Sequence, residues 1–421
     1  MPVASTGRTS PLKPAHRLLA RNATVLSFRT WRHRPIQEVR LATSERPEWD
    51  FLMKYVVLAM VVAVGAGMAT APQAAAAATL TSDAALSAPL TLPRPKAGRA
   101  RPLVVVVAQN AGAEVTDFVV PYGVLKDSGV ADVRALSTGE GPVQLLRGIL
   151  ITADQTITDF DEAEPAGADI VVVPAQMSPN DPVLIAWLRS QAARGAVIVS
   201  VCEGARVVAR AGLFEGRQAT SHWSSLQSLE RTYPRTEWVR NRRYVQDGPV
   251  ISTTGVTASI PVSLALVEAI GGRDVALATA GRLGVSNWNL DHRTGDFSLS
   301  RTDFVRAVLR VLAFWTHEQM ELPVADGIDE VNMALQSDVW GRSARARVVT
   351  TSTSTAPVIS EHGLIILPAD QPRPGRFVIP TEAGTTASRL DGAIEAMGRR
   401  YGPLGRRLAV SGLEYDPTSS R

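Results

Sequence analysis

Residues 198–213 read IVSVCEGARVVARAGL and contain Cys202, the single cysteine of this 421-residue chain. The run 196–201 is apolar except for one serine, which is typical of a short, fully buried parallel strand. A glycine and an alanine follow the cysteine, and valines at helical spacing continue until Gly212. A strand, a sharp turn and a helix form a nucleophile elbow, which presents the turn residue above the sheet.

A lone buried cysteine is often only a small core hydrophobe. Here the N-terminus of the following helix offers free N–H groups and a favourable dipole, and both stabilise a thiolate. We therefore predict that Cys202 is a nucleophile whose pKa lies below that of a free cysteine. A single cysteine cannot close a disulfide within the chain.

Strand and helix patterns alternate over most of the chain beyond the first hundred residues. This alternation predicts an α/β fold with a parallel sheet between helices, flavodoxin-like, with ligands bound at the C-terminal ends of the strands. Helices are expected at Val115–Lys126, Val256–Ile270 and Thr302–Glu318, the last with an apolar stripe that includes Leu312 and Trp315.

Three stretches resemble the DJ-1/PfpI superfamily, which has the class I glutamine amidotransferase-like fold. They are AEVTDFVVPYGVL, which contains Asp117, CEGARVVARAGLFEGRQATSHW at 202–223, and PVISTTGVTASIPVSLALVEAIGG at 249–272. The likeness covers about residues 102–318 and is greatest to the ligand domain of GlxA-type AraC-like regulators.

The resemblance implies a cysteine site in which Cys202 attacks, a protonated Asp117 lies beside the thiol, and Asp117 or His222 moves the proton. Backbone N–H groups would stabilise an anion. The side chains expected in the site are those of Cys202, Asp117 and His222. The backbone groups expected there are those of Glu203, Gly204 and Ala175.

Several positions depart from the family pattern. Ala175 and Gln176 stand where a pair of glycines is usual, and Ser259 and Pro261 where glycine and aspartate are usual. Glu203 follows the cysteine, where peptidase-like members have histidine and isonitrile-hydrating members threonine. No specific activity therefore carries over.

Some of these residues also have structural interpretations. His222 could be a core histidine bonded to backbone, and Glu203 could be a solvated acid in the first turn of a helix. Trp223 is predicted to form a pocket wall or core. No metal site is predicted, because His292 and the other remaining histidines lack ligand spacing, and no cofactor is predicted.

The charge pattern argues against nucleic acid as a partner. The formal net charge is +4, and residues 1–52 hold nine basic residues against four acidic ones. The expected partners are a small-molecule ligand or substrate and a second copy of the chain, as a homodimer.

The stretch from Met53 resembles a secretory signal: one lysine, an apolar run from Tyr55 to Thr70, and alanine-rich cleavage sites. We expect an exported, periplasmic or extracellular protein. The alternative is a membrane anchor through residues 54–70.

The C-terminal hundred residues contain a faint repeat. Residues 131–155 align with 344–371, so Gly148 pairs with Gly363. We expect a truncated second copy that contributes burial or assembly and no chemistry. The expected organisation is a basic extension or mis-assigned start at 1–52, a signal peptide or anchor at 53–78, a flexible linker at 79–101, the DJ-1/PfpI-like domain at 102–320 and the degenerate copy at 325–421.

Three functions from different classes remain open. The first is a cysteine-dependent hydrolase or hydratase of a small molecule, and the second is a ligand- or redox-sensing domain. The third is an inert interaction domain.

Overall fold

A computed structural model describes residues 90–380 and 383–415. Its strands, in chain order, are β1 (Leu103–Ala108), β2 (Asp132–Ser137), β3 (Val143–Leu145), β4 (Ile149–Thr152), β5 (Gln155–Thr156), β6 (Ile170–Val173), β7 (Val197–Ser200), β8 (Gln218–Ala219), β9 (Glu237–Trp238), β10 (Tyr244–Asp247), β11 (Val250–Thr253), β12 (Glu318–Pro323), β13 (Ala346–Thr351), β14 (Val358–Ile359), β15 (Ile365–Leu367) and β16 (Phe377–Val378). Its α-helices are α1 (Val115–Ser128), α2 (Ile157–Ala163), α3 (Pro182–Ala193), α4 (Gly204–Arg210), α5 (Trp223–Thr232), α6 (Ser259–Gly271), α7 (Arg273–Leu283), α8 (Arg301–Leu312), α9 (Glu330–Gly341) and α10 (Thr386–Leu413).

The main sheet has the strand order β10-β11-β7-β6-β1-β2-β5. Its strands are parallel except for the β10–β11 pair, which is antiparallel. The valines of β1 and β6 are buried because helices cover both faces of the sheet. This arrangement confirms the predicted flavodoxin-like α/β fold with a central parallel sheet.

The helix predicted at Thr302–Glu318 is wrong in its second half. Helix α8 ends at Leu312, a short 3₁₀ turn covers Phe314–Thr316, and Glu318 already begins β12. Leu312 and Trp315 of the expected apolar stripe are exposed, Trp315 by 74%. Val311 of the same stripe is buried, so the stripe packs in part and its C-terminal end faces solvent.

The segment expected as a flexible linker is described from Leu90 onward, and this part is anchored. Arg99 forms ion pairs with Glu164 at 2.8 Å and with Asp169 at 2.9 Å. Lys96 donates from Nζ to the carbonyl oxygens of Ala166 and Ala168, in the loop before β6. The linker expectation is therefore corrected for residues 90–101.

The expected basic extension and signal segment, 1–52 and 53–78, lie outside the described residues. Within the part of the chain that the structure describes, no helix is both long and apolar enough to cross a membrane.

The C-terminal residues fold against the main domain. β12, β13 and β16 form a second, parallel sheet, and β15 pairs with β4 in the four-stranded order β14-β15-β4-β3. Helix α9 packs on α1. The final helix α10 continues to Leu413 across a break at Gly402, and this brings the end of the described chain back to the main domain.

Candidate active site

The predicted elbow is present at the end of β7. Cys202 has a φ of +56°, in the left-handed region, and is 5% exposed. Its N–H donates to Thr253 Oγ1 at 3.1 Å. Gly204 has no room for a side chain, because a Cβ there would lie 2.0 Å from the carbonyl oxygen of Val173. The glycine lets α4 begin directly against the end of β6, so the cysteine is held in this strained turn.

Asp117 lies in the first turn of α1 and is fully buried. Its Oδ2 accepts a hydrogen bond from the Ala175 N–H at 3.1 Å, and its Oδ1 has no hydrogen-bond partner among the described residues. Burial, followed by the nearby Glu114 carboxyl, raises the pKa of Asp117 well above its usual value. The direction of this shift agrees with the expected raised pKa of Asp117 and favours its protonated form.

Two backbone N–H groups expected to stabilise an anion are already engaged. The Ala175 N–H donates to Asp117, and the Gly204 N–H donates to the carbonyl of Val201 at 2.8 Å. The side-chain amide of Gln176, the residue after Ala175, is turned inward, and its Nε2 donates to the Val107 carbonyl. The anion-binding role expected for Ala175 and Gly204 is therefore corrected, and Glu203 is the remaining backbone candidate.

The pKa of Cys202 shifts in the direction opposite to the prediction. Burial raises it well above its usual value, and the carboxyl groups of Asp117, Glu203 and Glu414 raise it further. The helix that follows is only seven residues long. Its N-terminus does not offset the loss of water and the surrounding negative charge, so the resting site holds a thiol.

We predict that Asp117→Asn lowers the apparent pKa of Cys202, because at the alkaline pH where the thiol ionises the Asp117 carboxyl carries a charge that opposes the thiolate, and an amide does not. The pH dependence of alkylation by iodoacetamide measures this pKa. Asp274→Asn, on the exposed first turn of α7, is the matched control and should leave it unchanged. A rise in the pKa of the Asp117→Asn variant would mean instead that the acid stabilises the thiolate by hydrogen bonding.

His222 caps the N-terminus of α5. Its Nδ1 lies 2.7 Å from Ser224 Oγ and accepts from the Ser224 N–H at 3.3 Å. These contacts assign the proton of the neutral ring to Nε2, which lies 3.9 Å from a carboxylate oxygen of Glu414. The preceding residue, Ser221, donates from Oγ to the carbonyl of Cys202 at 3.0 Å. His222 is thus placed next to the elbow with its Nε2 facing Glu414.

Glu414 is a site residue that the sequence did not indicate. It is 3% exposed, has a φ of +51° and accepts from the Trp223 N–H at 2.6 Å. Its Oε2 lies 2.9 Å from His292 Nε2. Burial opposes ionisation, but hydrogen bonding to His292 and the nearby His222 lower its pKa overall. A carboxylate between two histidines therefore comes from the end of the second copy.

The expectation that residues 325–421 contribute burial or assembly and no chemistry stays a prediction, but this contact brings their C-terminal end to the elbow. Trp223, expected as a pocket wall or core, also donates from Nε1 to the carbonyl of Ser411 at 2.7 Å. Gly255 approaches Glu414 so closely that a Cβ would lie 2.6 Å from its side chain. The end of α10 is fixed against the elbow domain.

We predict that Glu414→Gln lowers the free energy of unfolding by about 1 to 3 kcal/mol, because the Trp223 N–H loses its charged acceptor and the close pairing of the carboxylate with His292 is weakened inside a buried site. Urea denaturation at neutral pH measures it. Glu395→Gln on the exposed face of α10 removes an equivalent charge and should change stability by less than about 0.5 kcal/mol. Equal effects of the two substitutions would contradict a specific role for Glu414.

A second buried charge cluster lies behind Asp117. Arg342, which directly follows α9, donates from Nη2 to Glu114 Oε1 at 3.2 Å and to Asp338 Oδ2 at 3.0 Å. Burial, followed by Asp338, raises the pKa of Glu114 to about 7. Burial lowers the pKa of Arg342, but Asp338 and Glu114 raise it overall, and a thiolate at Cys202 would act in the same direction as these carboxylates, so this arginine of the second copy belongs to the electrostatic surroundings of the thiol.

A cavity adjoins the Glu414 side of the site. Its walls include Arg243, Thr254, His292, Glu414 and Tyr415, and Cys202 does not line it. Thr254 directly follows the threonine that binds the Cys202 N–H. The cavity is therefore close to the elbow, and Glu414, whose carboxylate faces His222, is part of its wall.

Comparisons with known proteins relate this chain to one family. The DJ-1/PfpI family model matches residues 103–269. The HTH-type transcriptional regulator CdhR of Pseudomonas aeruginosa is 31% identical over 147 residues, which are 34% of this chain and 42% of the regulator. An isonitrile hydratase of Pseudomonas putida is 30% identical over 166 residues, which are 38% of this chain and 68% of the hydratase. A crystal structure of a DJ-1 superfamily protein from Salmonella typhimurium has 26% identity and a TM-score of 0.38, over 43% of this chain and 96% of the other. This chain thus spans under half the length of the CdhR regulator.

Proposed function

This chain belongs to the DJ-1/PfpI family, and we propose that it is a cysteine-dependent hydratase or hydrolase of a small uncharged molecule, with Cys202 as the nucleophile. The observation that carries the proposal is the left-handed turn at Cys202 together with a fully buried Asp117 whose Oδ1 has no described partner and whose pKa is raised by burial. A carboxylic acid that stays protonated at neutral pH can donate a proton during catalysis.

A raised pKa for both groups favours a mechanism without a resting thiolate. Asp117 gives its proton to the substrate while the Cys202 sulfur adds to an electrophilic carbon, and the carboxylate then takes the thiol proton. For an isonitrile, the proton and the sulfur both add to the terminal carbon and give a thioimidate. For an ester or a primary amide, the sulfur adds to the carbonyl carbon, and the alcohol or ammonia leaves with the proton as a thioester forms. Water next attacks the thioimidate or thioester carbon and the C–S bond breaks. One water proton returns to the sulfur, and the other goes to the formamide nitrogen or stays with the carboxylic acid that ester or amide hydrolysis releases. A neutral cycle fits an acid-rich, dehydrated site, in which a free thiolate is costly.

The substrate class follows from the same argument. A neutral electrophile avoids bringing a further charge among these buried carboxyl groups. Because the Pseudomonas putida relative is an isonitrile hydratase, an isonitrile is one such compound, which hydration would convert to a formamide. In this proposal, Asp117 moves the proton and His222, with its Nε2 facing Glu414, holds the carboxylate in place.

The test is a turnover screen of the full-length protein with an alkyl isonitrile, a primary amide and an ester. We predict that Cys202→Ser and Asp117→Asn each lower turnover by about 100-fold or more, while Asp274→Asn keeps it. Unchanged turnover by Cys202→Ser would overturn the nucleophile role. The Asp117→Asn variant should lose turnover even though its thiol becomes more acidic, and this separates proton transfer from thiol ionisation.

A second candidate is a ligand-sensing domain, as the name of the CdhR regulator suggests. It is favoured by one observation: the cavity beside the elbow is lined by Arg243, His292 and Glu414 and not by the cysteine. Saturable binding of a screened compound, without any turnover and unaffected by Cys202→Ser, would support sensing and contradict the enzyme proposal.

We also propose that the protein is exported through the signal-like residues 53–78. N-terminal sequencing of the protein from its producing cell tests this, with a mature chain expected to begin between residues 74 and 79. An intact N-terminus in the membrane fraction would favour the anchor, and an intact N-terminus in the cytosol would contradict export.

A further inference from the structure

The C-terminal copy, residues 318–415, repeats the strand and helix order of the first domain. In both, a strand is followed by a helix, a parallel neighbouring strand and a short hairpin. β12 pairs in parallel with β13 and β16, as β1 does with β2 and β6. β1 begins at Leu103 and β12 begins at Glu318, and the difference between these two residue numbers is the offset between the copies. Adding this offset to the number of a residue in the first copy gives its counterpart in the second.

The two copies meet through equivalent strands. β4 and β15 are antiparallel, with Ile151 directly opposite Ile366. These two isoleucines are counterparts by the offset. Thr152 pairs with Ile365, and Leu150 pairs with Leu367, so the contacts are exchanged on either side of the central pair. A strand that pairs with its own counterpart in this way lies on a local twofold axis.

The helices repeat the exchange. Thr116 of α1 donates from Oγ1 to Asp338 Oδ2 of α9 at 3.1 Å. Their counterparts are Val331 and Gly123, and these also meet, because a Cβ on Gly123 would lie 2.5 Å from Val331 Cγ2. Two different pairs of residue types therefore occupy symmetry-related positions.

A third exchanged pair involves the loops before β4 and β15. Tyr122 donates from its hydroxyl to the carbonyl of His362 at 3.4 Å. The counterparts are Ser337 and Arg147, and Ser337 donates from Oγ to the carbonyl of Arg147 at 2.5 Å. An isologous contact, in which residue i meets j and j meets i, is the form that two identical subunits make.

We infer that the C-terminal copy is a built-in partner subunit, which occupies the α1 and β4 face where a second copy of the fold would otherwise pair. Helix α1 is buried from Val115 to Leu125 by this arrangement. The face is thus unavailable to another chain. This replaces the expected homodimer, for this face, with a contact inside one chain, and it places Arg342 and Glu414 beside the site without a second subunit.

Cysteine cross-linking of the full-length protein tests the inference. In a Cys202→Ser background, Ile151→Cys, Ile366→Cys and the double variant are oxidised and run on a non-reducing gel, after circular dichroism has confirmed folding. The double variant should form a link within one chain, which mass spectrometry identifies, and each single variant should stay a single chain. Val183→Cys, on the exposed face of α3, measures chance dimerisation.

A homodimer through this face would place the thiol introduced by Ile151→Cys in each chain opposite the same thiol of the other chain. Covalent dimers of this single variant well above the Val183→Cys level would therefore overturn the inference. A folded double variant with no internal link would overturn it too. Neither outcome depends on Cys202 chemistry, so the proposed function is tested separately.

Discussion

The packing of α1 against α9 is the contact on which both the fold and the site depend. The sheet covers one side of α1 and α9 covers another, so the first turn of α1 has no access to water. Glu114 and Asp117 lie in or next to that turn and lose their hydration, which raises the pKa of both. The same helix that removes the water brings Arg342, whose charge compensates Glu114 and Asp338. A buried acid cluster without that arginine would be strongly destabilising.

Local sequence patterns predicted the parts of the site that are themselves local. The apolar run before Cys202 and the glycine after Glu203 decide a strand, a turn and a helix within a few residues, and these are present. Arg342 and Glu414 could not be predicted, because they reach Glu114 and Trp223 across 228 and 191 residues of sequence. No periodicity or spacing carries that information.

The direction predicted for the pKa of Cys202 was wrong for a related reason. A helix N-terminus is a local feature and favours a thiolate, but desolvation and distant carboxyl groups are tertiary features and outweigh it here. Helix α8 shows the same limit in packing. Its apolar stripe has the right period, yet nothing in the pattern says whether another element covers it, and Leu312 and Trp315 are exposed. Periodicity identifies a helix more securely than it identifies the partner of that helix.

The two copies have kept the same frame and diverged in chemistry. The counterpart of Asp117 in α9 is Asn332, whose amide cannot donate the proton of a carboxylic acid, and its Oδ1 also lacks a hydrogen-bond partner among the described residues. After β16 the second copy has no cysteine. Its last helix instead returns to the first copy and ends at Glu414 beside His222. A repeat that no longer needs its own site is free to change its C-terminal half. Here that half covers the remaining site, because its last helix places Glu414 beside His222.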